Sequence, residues 1–89
     1  MRSLIRTKQF KKDFKLSKKQ GCDTEKLFEV IDKLAMGDKL EQQYRDHSLH
    51  GKFKDCRECH NTPDWMLIYK IDEDDLILVR NGSHSDLFG

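Results

Sequence analysis

Residues 56–60 read CRECH, two cysteines two residues apart followed by a histidine. That spacing is the pattern of a c-type haem attachment site, and the cysteine pair alone is half of a zinc ligand set. A second kind of chemistry rests on imidazoles. Histidines stand at 47, 50, 60 and 84, with Asp64 beside a turn and Arg80 at a strand end. An imidazole titrates near pH 6.5 and gives or takes a proton at neutral pH.

The elements that carry these residues decide between the two. Cys56 to His60 reads as strand, paired with a following strand across the Thr62-Pro63-Asp64 turn, where Pro63 suits the second turn position. Side chains then alternate between faces. Cys56, Glu58 and His60 share one face, and Arg57 and Cys59 point to the other. Haem needs both sulfurs on one macrocycle and zinc needs both thiolates on one ion, so a strand denies both. Neither does zinc find a second ligand pair at the usual spacing. The acidic run Asp72-Glu73-Asp74-Asp75 lacks the glycine and distal glutamate of a calcium loop and reads as a solvated hairpin turn.

Upstream, Ser3–Arg6 is a short half-apolar strand. Thr7 caps a helix over 8–19, with Phe10 and Phe14 on one face and Lys11, Lys12 and Lys15 among the lysines elsewhere. Gly21 stops it. Asp23 or Thr24 caps a second helix, with Leu27, Val30, Ile31 and Leu34 at helical spacing, ending at Met36-Gly37-Asp38. Residues 38–48 are polar and irregular. Lys52–His60 reads as a strand pair or one long bent strand, Trp65–Ile71 as the clearest strand, and Leu76–Arg80 as the last. The order β-α-α followed by an antiparallel meander predicts an α+β fold, with two helices packed on one face of a single small sheet.

Eighty-nine residues make one small domain, burying only about 60–65% of its unfolded surface. Charged residues are 37% of the chain and the mean hydropathy is −0.84. The apolar run that begins at Trp65 is far short of the roughly 20 residues of a membrane span. No apolar stretch near the start has the length of a secretory signal. A cytoplasmic location follows, and three cysteines, an odd number, fit free thiols. Net charge is +1, yet residues 1–20 carry eight Lys or Arg against one Asp, and the remainder nine basic against fifteen acidic groups. A basic helix of this kind is an RNA-facing surface or a solvated one.

Residues 44–88, YRDHSLHGKFKDCRECHNTPDWMLIYKIDEDDLILVRNGSHSDLF, resemble the YafQ branch of the RelE/ParE toxin superfamily. The ordered motifs are the His47 segment, RECH, PDW followed by LIY, and Arg80 followed by GSH and LF. Ser48, Phe53, Asp55, Cys56 and Asn81 depart from that pattern, and His50 matches no family site. The resemblance implies a RelE-like domain spanning residues 1–89 and a toxin of a bacterial type II toxin–antitoxin pair. It implies an endoribonuclease cutting messenger RNA on the translating ribosome, blocked by a cognate antitoxin, with no cofactor and no metal. Carried over position by position, its functional residues fall on His47, His60, Asp64, Trp65, Arg80, His84 and Phe88.

Metal-free RNA cleavage uses the substrate's own 2′-hydroxyl as nucleophile and leaves a 2′,3′-cyclic phosphate. A base takes the 2′ proton, an acid protonates the leaving 5′ oxygen, and a cation offsets charge on the phosphoryl oxygens. Arg80 is expected on the phosphate and His84 as a principal acid or base. Ser83 and Asp86 start a short helical turn that brings Phe88 back to the site. His60 and Asp64, either side of the hairpin turn, are expected to meet. Trp65 and Phe88 either stack on bases or pack on the sheet, and the plainer alternative for Arg80 is a structural ion pair. Lys11, Lys12 and Lys15 are expected against ribosomal RNA. The competing functions are a non-catalytic protein that pairs with an antitoxin-like peptide in repression, and a thiol-based metal protein.

Overall fold

The computed structural model describes residues 1–88 of the chain. The elements are β1 (Ser3–Arg6), α1 (Lys8–Lys19), α2 (Thr24–Met36), β2 (His47–Ser48), β3 (Arg57–Thr62), β4 (Trp65–Asp72), β5 (Asp75–Ser83) and α3 (His84–Phe88). Both long helices begin where capping chemistry predicts. The Thr7 hydroxyl accepts from the Phe10 amide and donates to the Val79 carbonyl at 2.9 Å, so the same cap ties α1 to β5. Asp23 caps α2 by accepting from Lys26 N–H. The second helix closes at Gly37, whose φ of +83° lets the Gly37 and Asp38 amides turn back to the Leu34 and Lys33 carbonyls.

The five strands form one sheet in the order β1-β5-β4-β3-β2. The strands β3 to β5 form the expected antiparallel meander, with a two-residue Glu73-Asp74 hairpin between the paired Asp72 and Asp75, and β2, in a segment read as irregular, adds an antiparallel edge to β3. The first strand instead lies parallel to β5 at the sheet edge, Ser3 opposite Asp75 and Arg6 opposite Leu78. The chain returns to that edge after the whole meander, a pairing no local pattern encodes.

One sheet face carries the main core. Leu27, Val30, Ile31 and Leu34 of α2 and Phe10 of α1 pack on Cys59, Leu67, Tyr69, Leu76 and Leu78. Each fully buried leucine there contributes about 1.5–3 kcal/mol. The opposite face carries a smaller cluster in which Leu87 of α3 covers Met66 and Ile68, with Leu49, Phe53, Cys56 and Val79 around them. The sheet is thus covered on both faces, two helices on one and a short helix on the other. None of the helices among the described residues is long and apolar enough to cross a membrane.

Two expected strand limits are corrected. Lys52–His60 is not one long strand: residues 51–53 make a single 3-10 turn, and pairing starts only at Arg57. Gly51 and Asp55 both have positive φ, +67° and +71°, which no extended strand contains. The last strand does not stop at Arg80 but runs to Ser83. Asn81 and Gly82 look like a strand end by composition, yet Asn81 pairs with Leu67 and Gly82 with Met66. The buried Asn81 amide is satisfied by Asn61 and Ser17 side chains, so its polarity does not end the strand.

Candidate active site

The cysteines separate to opposite faces of the sheet as expected, although Cys56 precedes β3 rather than lying on it. Cys59 lies fully buried in the helix-side core and Cys56 against the opposite cluster. Burial pushes the Cys59 thiol well above its usual range, and the nearby Asp46 and Glu58 add to the shift. A thiol so placed stays protonated and faces away from Cys56, so the CRECH string holds neither haem nor a shared ion.

The register gathers the polar residues instead. His47 of β2 stands opposite Glu58 of β3, Glu58 opposite Ile68 of β4, and Ile68 opposite Arg80 of β5. One row across four strands therefore begins in an imidazole and ends in a guanidinium. His60, Met66 and Gly82 form the next row. With neighbouring strands about 4.8 Å apart, the span from Glu58 to Arg80 is about 10 Å, wide enough to seat a phosphodiester between their side chains.

Glu58 is the focus of the imidazole side. Its Oε1 lies 3.7 Å from His47 Nε2 and 3.6 Å from His60 Nε2, and its side chain is only 6% exposed. His47 Nδ1 sits 2.7 Å from the Arg45 carbonyl. A carbonyl only accepts, so Nδ1 carries a proton and any second proton lies on Nε2, toward Glu58. The loop that presents His47 is anchored from below. Tyr69 donates its hydroxyl to Asp46 at 2.6 Å, Arg57 Nε donates to the same carboxylate at 3.2 Å, and Leu49 N–H reaches the Cys56 carbonyl. Glu58 was missed as a site residue because one of its partners, His47, comes from a different strand. The face it shares with His60 was the available signal.

The expected meeting of His60 with Asp64 does not occur. The carboxylate within ion-pair reach of His60 is that of Glu58. Asp64 is exposed on the turn, carried outward by the tight Thr62–Trp65 reversal. Trp65 is half-buried at the head of β4, where alternation puts it on the face of Leu67 rather than that of His60 and Met66.

On the far side, Arg80 follows a bulge. Tyr69 pairs with Leu78 and Ile68 with Arg80, leaving Val79 as the extra residue. Such a bulge bends the strand and re-aims the side chains beside it. The Arg80 guanidinium makes two hydrogen bonds to Asp13 of α1, Nε to Oδ2 and Nη2 to Oδ1, both 2.9 Å. Asn81 N–H and Gln9 Nε2 donate to the same carboxylate. Burial works against the Asp13 charge, but the hydrogen bonds from Arg80, Gln9 and Asn81 outweigh it and hold this carboxyl below its usual range. The ion pair named as the plainer alternative for Arg80 is thus present, with α1 as its source.

The last strand hands directly into α3. Ser83 Oγ accepts from Asp86 N–H at 3.3 Å, as a cap should. Gly82 permits the close return of the helix, since a Cβ there would meet Asp86 Cβ at 3.3 Å and Leu87 Cδ2 at 3.4 Å. Leu87 anchors the turn. His84 and Phe88 are left exposed on it, their rings 5.3 Å apart, and Phe88 meets Phe53 edge-on at 6.0 Å. Phe88 keeps 43% of its surface in solvent, so it both packs and offers a free ring face. Lys11, Lys12 and Lys15 all project from α1 into solvent.

One mixed sheet, two long helices on one face, a short helix on the other and an imidazole-to-guanidinium row across the strands define a small bacterial toxin of the RelE-like fold. Residues 2–89 match the family described as the bacterial toxin of type II toxin–antitoxin system, YafQ. The chain belongs to that family. It is 40% identical over 82 residues to the mRNA interferase toxin YafQ of Escherichia coli strain K12, spanning 91% of this chain and 89% of that one. Among solved structures, YafQ in the E. coli DinJ–YafQ complex superposes with a TM-score of 0.91 at 38% identity, over all of both chains. A copper-bound mutant toxin from Helicobacter pylori gives 0.92 at 46% identity, over 99% of this chain and 100% of that one.

Proposed function

We propose that the protein is an endoribonuclease toxin that cleaves messenger RNA on the translating ribosome and is neutralised by a cognate antitoxin. The observation that carries this reading is the row from His47 through Glu58 to Arg80, with His60 beside it and His84 at the head of α3. The names of the relatives support the substrate, mRNA, and the DinJ–YafQ complex supports an antitoxin partner.

In this reading the scissile phosphate lies against Arg80, whose guanidinium offsets charge building on the phosphoryl oxygens. His60 and His84 supply the base and the acid. One takes the proton of the 2′-hydroxyl as that oxygen attacks phosphorus. The other gives a proton to the departing 5′ oxygen, and a 2′,3′-cyclic phosphate remains. Glu58 faces both His47 and His60 and fixes the side of each ring that meets it. Phe88 offers its free face to a base next to the cut, and the α1 lysines contact ribosomal RNA through phosphates.

The test is cleavage of an mRNA on translating ribosomes, with products mapped and their ends analysed, using toxin stripped of metal by EDTA and dialysed before it meets the ribosomes. The stripped and unstripped parent yield 2′,3′-cyclic phosphate ends at the same rate. His84→Ala slows the reaction by about 10²–10⁴-fold. Cleavage lost when the toxin is stripped of metal beforehand, or left unchanged by His84→Ala, refutes the mechanism. A parent that never cuts favours the non-catalytic antitoxin-binding protein.

A further inference from the structure

We infer that Asp13 is a positioning residue for the cleavage reaction, acting through Arg80; this rests on the reading of Arg80 as the phosphate-binding group. A guanidinium has two hydrogen-bonding forks. The side fork is formed by Nε–H and one Nη2 hydrogen, and the end fork by Nη1 and the second Nη2 hydrogen. Asp13 occupies the side fork with two bonds of 2.9 Å. The end fork has no partner among the described residues and keeps the spacing that matches two oxygens of a phosphate. A carboxylate on one fork and a phosphate on the other leaves the arginine no rotational freedom about its long side chain when substrate arrives.

Asp13 is itself held rigidly. It is 7% exposed and receives Asn81 N–H at 3.2 Å and Gln9 Nε2 at 3.0 Å, so the strand that carries Arg80 also fixes the residue that orients it. Its charge is kept by those donors in spite of burial. The same helix displays Lys11, Lys12 and Lys15, so the surface assigned to ribosomal RNA and the clamp on the guanidinium form one rigid element. Sequence gave no hint of this role, because Asp13 is an isolated acid in a lysine-rich helix, 67 residues from Arg80.

The experiment measures single-turnover cleavage on translating ribosomes for the parent, Asp13→Asn, Asp13→Glu, Arg80→Ala and the double variant Asp13→Asn/Arg80→Ala, with a thermal melt for each. Asparagine keeps the shape but can accept from only one of the two guanidinium donors. We expect Asp13→Asn to lower kcat by about a hundredfold with KM changed less than about threefold, and Asp13→Glu to recover part of the loss. In the Arg80→Ala background the Asp13→Asn change should cost nothing further in rate, because its effect runs through the missing guanidinium. A purely structural role would multiply the loss by the same factor in both backgrounds, and the melts correct each rate for the fraction folded. Asp13→Asn that cleaves like the parent, or that slows the Arg80→Ala protein by the same factor, overturns the inference while Arg80→Ala remains impaired. An Arg80→Ala protein as fast as the parent instead overturns the phosphate assignment, and the inference with it. Where Arg80→Ala melts too low to assay, Arg80→Lys replaces it, keeping the charge and removing both forks.

Discussion

His47 Nε2 lies 3.7 Å from Glu58 Oε1, an imidazole on a two-residue edge strand facing a buried carboxylate on its neighbour. His60, two positions along the same strand as Glu58, approaches the same oxygen at 3.6 Å. Two imidazoles therefore face one carboxylate, and that carboxylate is shielded from water.

Neutralising that charge tests its part in the chemistry. Glu58→Gln preserves volume, so the fold should survive with a melting temperature within a few degrees of the parent. Cleavage of ribosome-bound mRNA should fall by about tenfold to a hundredfold. An unchanged rate would show the carboxylate to be a bystander.

The support beneath His47 makes a separate prediction. Tyr69→Phe deletes the hydroxyl that donates to Asp46 at 2.6 Å and leaves the ring in the core. A hydrogen bond to a charged acceptor contributes about 1.5–3 kcal/mol, so urea unfolding should report a loss in that range. Activity should fall further than the stability loss explains, because Asp46 adjoins His47. Equal activity per folded molecule would separate the loop anchor from the site.

Acid sensitivity follows from Asp13. Its folded carboxyl titrates below the unfolded one, since bonds from Arg80, Gln9 and Asn81 exceed the cost of burial. A group depressed in the folded state adds stability that is complete above the unfolded value, about 3.9, and that disappears as pH falls through the lower folded value. The stability gap between the parent and Asp13→Asn should therefore be constant above about pH 5 and shrink below pH 4. Urea melts across that window give the curve. A gap that stays level down to pH 2 would contradict the assignment.

The lysines of α1 should act through phosphates alone. Reversing Lys11, Lys12 and Lys15 to glutamate should leave the melt unchanged within a few degrees, since all three are exposed. Cleavage on ribosomes should drop, and its dependence on salt should flatten, because fewer counterions are released on binding. Parental cleavage with parental salt dependence would place the ribosome contact elsewhere.

Much of this architecture was legible in the residues themselves. Thr7 and Asp23 announce their helices, because a side-chain acceptor before an amphipathic run satisfies amides that the helix leaves open. Alternation along β3 sets Cys59 on the face opposite Glu58 and His60, since the pleat has a period of two. The motifs around His47, His60, Arg80 and His84 mark the family, and the model match over residues 2–89 agrees. Composition misled at Asn81 and Gly82, which read as a strand end. The amide network that admits them to the sheet comes from Ser17 and Asn61, residues distant in the chain.

What the order of amino acids determined by itself was local: caps, periodicity, the face each strand residue takes, and the motif set that names the family. Only tertiary structure decided the parallel docking of β1 on β5, the Glu58 carboxylate between two imidazoles in place of Asp64, and the Asp13 clamp on Arg80. The physical reason is range. A cap or an alternation is an interaction of residues a few positions apart, whereas a salt bridge between Asp13 and Arg80 exists only after the sheet has closed and α1 has packed along the free edge of its last strand.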